Sequence, residues 1–164
     1  MKIVIYTAKD IPGFVEFRHK SKKESPFLND TTLELATAQQ EEYSSENKRA
    51  YLLKDNNKVI GQLFLRYDPN TKIVGLGLIS ILNEYQGKGY ARKLLAKVDD
   101  YAKEKNAKQI DLYVDNKNTH AIKVYEKLGY RKLKDHGKTR MLYSKSLVNK
   151  IAKENISNNV YLNW

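Results

Sequence analysis

The 164-residue sequence contains no cysteine. That excludes disulfide staples, thiolate nucleophiles and cysteine-based metal sites. Proline is scarce, at three residues, and tryptophan occurs once. No apolar run approaches the roughly 20 residues that a bilayer-crossing helix requires, so no membrane partner is expected. Met1-Lys2-Ile3-Val4-Ile5-Tyr6 is too short and too soon interrupted to be the apolar core of a secretion signal. Cytoplasmic location is the expectation. Acidic side chains are also in deficit, with 19 Asp+Glu against 30 Lys+Arg and a net charge of +11.

The deficit is uneven. Residues 1–70 carry 11 basic against 10 acidic side chains, a net of +1, whereas residues 71–164 carry 19 against 9, a net of +10. A basic second half suits a polyanionic ligand. Nucleic acid is one such ligand, but zinc-finger spacing, an aromatic RNA-binding motif and a recognition helix are all missing, so it is not the expected partner. A hydrophobic fraction of 41% and mean hydropathy of −0.67 describe a soluble globular chain. Its length suits one domain, expected over residues 1–147, with the Asn- and Lys-rich residues 148–164 as a C-terminal extension.

Along the chain, Lys2 to Thr7 reads as a strand, and Asp10 as the cap of a helix starting at Ile11-Pro12. Phe14, Phe17 and Arg18 share a face of that helix, and Ser25-Pro26 breaks the chain. Thr31 or Thr32 starts a second helix with Leu33, Ala36, Thr37 and Gln40 at helical spacing. Arg49 to Lys54 and Val59 to Arg66 form a hairpin across Asp55-Asn56-Asn57, and Asp68-Pro69-Asn70 turns into a strand over Lys72 to Leu82. Gly75 and Gly77 inside that strand signal a bulge or a close approach.

A strongly periodic helix follows, with Ala91, Leu94, Leu95, Val98, Tyr101 and Ala102 on one stripe and Asn106 as its stop. Gln109 to Val114 completes a strand–helix–strand crossover. Asn118 caps a helix bearing Ala121, Val124, Tyr125 and Leu128, which Gly129 closes. Tyr130 to Leu133 and Thr139 to Ser146 read as a final strand pair.

The stretch from Leu76 to Lys93 carries the chemistry. An apolar strand enters Gln86-Gly87-Lys88-Gly89-Tyr90-Ala91, which opens directly into the periodic helix. Such a join presents free backbone N–H groups where the helix dipole favours negative charge, which specifies a phosphate cradle. Lys88, Arg92 and Lys93 add cationic charge. A dinucleotide fingerprint fails for want of a third glycine and a following acidic residue, and a P-loop fails for want of Gly-Lys-Ser/Thr.

Gln86-x-x-Gly89-x-Ala91 resembles the Gln/Arg-x-x-Gly-x-Gly/Ala signature of the GNAT superfamily of acyl-CoA-dependent N-acyltransferases. Val114, Asn118, Ala121, Tyr125 and Gly129-Tyr130 resemble its second signature, in the correct order. The resemblance covers residues 49–143. It implies an α/β fold, with a mixed, mainly antiparallel twisted sheet of about seven strands, splayed near Ile81 and Val114, and helices on both faces. It implies acetyl-CoA as cosubstrate, an amine acceptor and direct attack. The backbone of Ile79, Ser80 and Ile81 would bond the pantetheine arm, and Gln86, Gly87, Lys88, Gly89, Tyr90 and Ala91 would hold the pyrophosphate. Asn118 and Ala121 would border the cofactor arm, and Tyr125 would be the catalytic acid beside the sulfur. A homodimer is left open.

Many relatives place a glutamate base on the strand before the loop, and here that strand offers Leu76, Gly77, Leu78, Ile79 and Ser80 instead. A lysine-type amine, with a pKa of ~10.4, is almost wholly protonated at neutral pH. Either water relays its proton to a distant carboxylate, or the substrate amine has a low pKa. Glu34, Glu41 and Glu42 are candidates only for attracting a cationic substrate. His19, His120 and His136 are too scattered to suggest a metal site. The competing readings are a non-catalytic acyl-CoA-binding module and a basic RNA- or ribosome-associated protein.

Overall fold

A computed structural model describes residues 1–147, so the expected extension at 148–164 lies outside the described residues. In chain order the elements are β1 (Lys2–Ile5), α1 (Ile11–Glu24), α2 (Leu33–Glu42), β2 (Lys48–Asp55), β3 (Lys58–Asp68), β4 (Ile73–Ile81), α3 (Tyr90–Glu104), β5 (Gln109–Asp115), α4 (Thr119–Lys127), β6 (Arg131–His136) and β7 (Arg140–Ser146). The strands form the expected seven-stranded mixed, mainly antiparallel sheet, in the order β1-β2-β3-β4-β5-β7-β6. The described residues gather into two compact units: Met1–Tyr67 with Leu76–Tyr101, and Asp68–Gly75 with the chain from Ala102 onward.

In the first unit β1 pairs antiparallel with β2, and β2 with β3. Seven consecutive residues of β3, Val59 to Leu65, are buried, so this strand is covered on both faces. An aromatic cluster fills one side. The Phe14 ring lies 4.7 Å from Tyr6 and 5.9 Å from Phe64, and Tyr43 meets Phe64 edge-on at 4.8 Å. Thr32 caps α2 by accepting from the Leu35 N–H at 3.2 Å.

Two expectations about this unit need correction. β1 ends at Ile5, because Thr7 turns to open a 3-10 turn over Ala8–Asp10. Asp10 does not cap α1 with its side chain. Its carboxylate accepts instead from Thr7 N–H at 3.0 Å, from the Thr7 hydroxyl at 2.9 Å and from Lys54 Nζ at 2.8 Å. Burial alone would raise its pKa; the bonds from Lys54 and Thr7 outweigh that and hold it below the ordinary value of 3.8. With the folded pKa depressed, the stabilisation is present above pH ~4 and is lost as pH falls through the folded value. Asp10→Ala should cost about 2–4 kcal/mol at pH 7, because Lys54 and the Thr7 donors lose a buried partner. Urea unfolding at pH 7 and pH 3 measures this, and the difference from the parent should shrink at the lower pH.

In the second unit β7 pairs antiparallel with both β5 and β6. Ile110, Leu112 and Val114 are buried, as are Tyr125, Tyr130, Leu142 and Tyr143. β6 runs to His136, beyond the expected Leu133, with a bulge between Lys132 and Lys134 that leaves Leu133 exposed. The turn into β4 closes through Lys72, in the left-handed region at φ 57°, with its N–H on the Asp68 carbonyl at 2.7 Å. Asn106 stops α3 at φ 53°, as its position suggested.

Candidate functional site

The first unit supplies the strand end, the glycine loop and the helix start. After β4 the chain makes a 3-10 turn over Asn83–Tyr85, tied to α1 at two points. Asn83 N–H donates to Glu24 at 2.8 Å, and Glu84 pairs with Lys20 at 2.7 Å. Gln86 braces the loop, donating from Nε2 to the Ile81 carbonyl at 2.8 Å and to Asn83 Oδ1 at 3.2 Å. Its amide is thereby turned onto the protein.

Gly87 and Gly89 follow at φ 74° and 85°, conformations that favour glycine. A Cβ built on either would meet nothing within 4 Å, so the loop is open on that side. The first helical bond of α3 runs from Lys93 N–H to the Gly89 carbonyl at 3.3 Å. The N–H groups of the preceding turn therefore have no intrahelical acceptor. Lys88 and Lys58 place their ammonium groups 5.7 and 5.9 Å from the Tyr85 ring centre, and Lys93 lies 5.6 Å from that of Tyr90. Open loop, free donors and cations meet within Tyr85 to Lys93.

Gly77 is not the point of close approach that its place in β4 suggested; a Cβ there would sit at ordinary contact, 3.5 Å from the Phe64 carbonyl. The tight position is Gly61 on β3, whose Cβ would meet Leu53 Cβ at 3.1 Å, the Ser80 carbonyl at 3.2 Å and Ile81 Cγ1 at 3.3 Å.

The sequence reading missed a polar chain that reaches Ser80. Gln62 on β3 is fully buried, and its Nε2 donates to the Ser80 hydroxyl at 2.7 Å. Arg18 donates from Nη1 to Gln62 Oε1 at 3.3 Å, and from Nε and Nη2 to the Asn29 carbonyl at 3.2 and 2.7 Å. The available signal was Gln62 itself, the lone polar side chain in Val59-Ile60-Gly61-Gln62-Leu63-Phe64-Leu65.

The second unit supplies the helix cap and the buried tyrosine. Asn118 Oδ1 accepts from Ala121 N–H at 3.3 Å, as the capping pattern predicts. Gly129 sits at φ 95° just past the end of α4. The Tyr125 ring meets Tyr130 edge-on at 5.9 Å, and its hydroxyl makes no hydrogen bond among the described residues. Burial pushes this phenol up to about 12. His120 is exposed, His19 pairs with Asp30, and His136 stacks on Tyr113 at 4.4 Å.

Over 80 residues, 49% of this chain and 48% of the relative, the sequence is 32% identical to the uncharacterized protein YxbD of Bacillus subtilis (strain 168). Over 88 residues, 52% of this chain and 59% of the relative, it is 31% identical to N-alpha-acetyltransferase 30 of Schizosaccharomyces pombe. The chain thus spans about half to three-fifths of the length of these curated relatives. The fold matches that of the PaiA N-acetyltransferase of Thermoplasma acidophilum, solved in complex with coenzyme A. That match has a TM-score of 0.76 over 89% of this chain and 99% of that one, at 18% identity. The model of the acetyltransferase (GNAT) family matches residues 15–130, and the chain belongs to that family.

Proposed function

We propose that the protein is an N-acetyltransferase that moves acetyl from acetyl-CoA to a primary amine by direct attack. The observation that carries this reading is the loop from Gln86 to Ala91, where two left-handed glycines open into the unpaired N–H groups of α3 in a chain of this family. The T. acidophilum structure, solved with coenzyme A, supports the choice of ligand, and the name of the S. pombe relative supports transfer to nitrogen.

Acetyl-CoA supplies an activated thioester carbonyl. In this reading the N–H groups from Gly87 to Ala91 bind the pyrophosphate, with Lys88 beside them and Gln86 bracing the loop. Backbone groups of Ile79, Ser80 and Ile81 bond the pantetheine arm as an added strand. An N–H near Ile81 stabilises the developing oxyanion. Asn118 and Ala121 border the arm, and the Tyr125 hydroxyl donates toward the departing sulfur. The domain is taken as residues 1–147, working in the cytoplasm.

The test is thiol release from acetyl-CoA across a panel of amines: a polyamine, an aminoglycoside, amino acids, and peptides with a free N-terminus or lysine. Amine-dependent release with at least one member is expected. Coenzyme A binding without release to any of them would instead mark a non-catalytic acyl-CoA-binding module.

A further inference from the structure

β4 carries no carboxylate between Leu76 and Ile81, yet a buried charge is wired to it. Arg18 can only donate, so it fixes Gln62 with Oε1 toward the guanidinium and Nε2 toward Ser80. Gln62 therefore occupies one lone pair of the Ser80 hydroxyl. Its hydrogen and its second lone pair stay available, and Ser80 is half-buried rather than sealed. Behind it stands a guanidinium that is 7% exposed, two hydrogen bonds and one amide away.

We propose that Ser80 receives the acceptor amine, and that the Arg18 charge relayed through Gln62 favours its neutral form, so that an α-amine, whose intrinsic pKa is already low, reacts without a base while lysine side chains and polyamines stay protonated. This rests on the acetyl-transfer reading above. An ammonium hydrogen-bonded to Ser80 faces a like charge at roughly 10 Å, which at an effective dielectric near 20 lowers its pKa by about one unit. A free α-amine, at ~7.7–8.0, then becomes mostly neutral near pH 7.5, whereas a lysine amine, at ~10.4, stays almost wholly protonated. No base on β4 is then needed to make the nucleophile. The proton leaves after attack, from a far more acidic adduct, and passes to water.

Of the groups around Arg18, only Asp30 offsets its charge, and only in part. Asp30, just before α2, acts on Arg18 as an opposite charge, but its carboxylate is exposed to solvent screening and engaged by His19 and by Thr31 N–H. Tyr6, after β1, is buried and its phenol is pushed well up, so it is neutral. Asp10 and Lys54, from the 3-10 turn and β2, form a pair whose charges offset. On β3 the facing group is Gln62 itself, which is uncharged.

Two peptides of one sequence test this, one with a free N-terminus and an acetylated lysine, the other with an acetylated N-terminus and a free lysine. At pH 7.5 the first should be preferred at least tenfold in kcat/KM by thiol release. Its kcat should rise with pH about a midpoint one unit below that of the free α-amine. Arg18→Met removes the charge, and the isosteric Gln62→Glu cancels it and serves if the first variant fails to fold. Either should move the midpoint up by about one unit. Ser80→Ala should raise peptide KM about tenfold with the midpoint unmoved, and Ser80→Thr should restore most of it. Equal use of the lysine peptide, or a midpoint unmoved in every folded charge variant, overturns the proposal and leaves acetyl transfer standing. Release with neither peptide nor any amine of the panel overturns the acetyl-transfer reading, and this proposal with it.

Discussion

Gly89→Glu should abolish coenzyme A binding, seen as loss of the ligand-dependent rise in Tm. Coenzyme A at about 100 times its Kd stabilises by ~2.7 kcal/mol, on the order of 5–10 °C for a chain of this size. The variant should lower affinity at least 100-fold and erase the shift at that concentration. The geometry separates binding from folding at this residue. Nothing lies within 4 Å of a Cβ at Gly89, so a side chain projects into open space without displacing its neighbours. The cost to the fold is confined to a non-glycine at φ 85°, about 1–2 kcal/mol. The cost to binding is a carboxylate set among N–H groups that would otherwise receive phosphate oxygens. Gly89→Ala carries the same backbone strain without the charge and should keep most of the shift. A full shift in the glutamate variant would remove the loop from the site.

The parts of this fold legible in the sequence are those whose signal and partner lie within a few residues. The stripe Leu94, Leu95, Val98, Tyr101 and Ala102 marks α3 because its period is local. Asn118 could be read as a cap because its acceptor bond spans three residues. Asp10 was misread for the opposite reason: a local rule made it a cap for Ile11-Pro12, while Lys54, 44 positions on, drew its carboxylate away. The Arg18–Gln62 bond spans 44 positions as well. Arg18 was visible on the Phe14 and Phe17 face, but nothing local told what it would meet across the sheet. Gly61 shows the same limit. Its tightness against Ser80 and Ile81 depends on β3 lying beside β4, a long-range fact that a single glycine does not announce.

Tyr125→Phe should cut kcat about 30- to 100-fold while KM for acetyl-CoA stays within threefold. The ring keeps its place, since its packing on Tyr130 and burial in the second unit owe nothing to the hydroxyl. That hydroxyl makes no hydrogen bond among the described residues, so stability should change by less than about 1 kcal/mol. Burial pushes the phenol up to about 12. A raised pKa means that the protonated, donating form persists as pH rises, so Tyr125 should contribute no falling limb to the rate profile below about pH 11. The same shift decides how the group works. A phenol near 12 is a weaker acid than a thiol near ~8.5, so complete proton transfer to the leaving sulfur is uphill. Hydrogen-bond donation to sulfur as its charge develops is what remains, and a bond to a charged group contributes ~1.5–3 kcal/mol, which sets the size of the expected loss. A kcat unchanged in the phenylalanine variant would remove Tyr125 from the chemistry. A KM for acetyl-CoA rising in step with the loss would make it a binding residue instead.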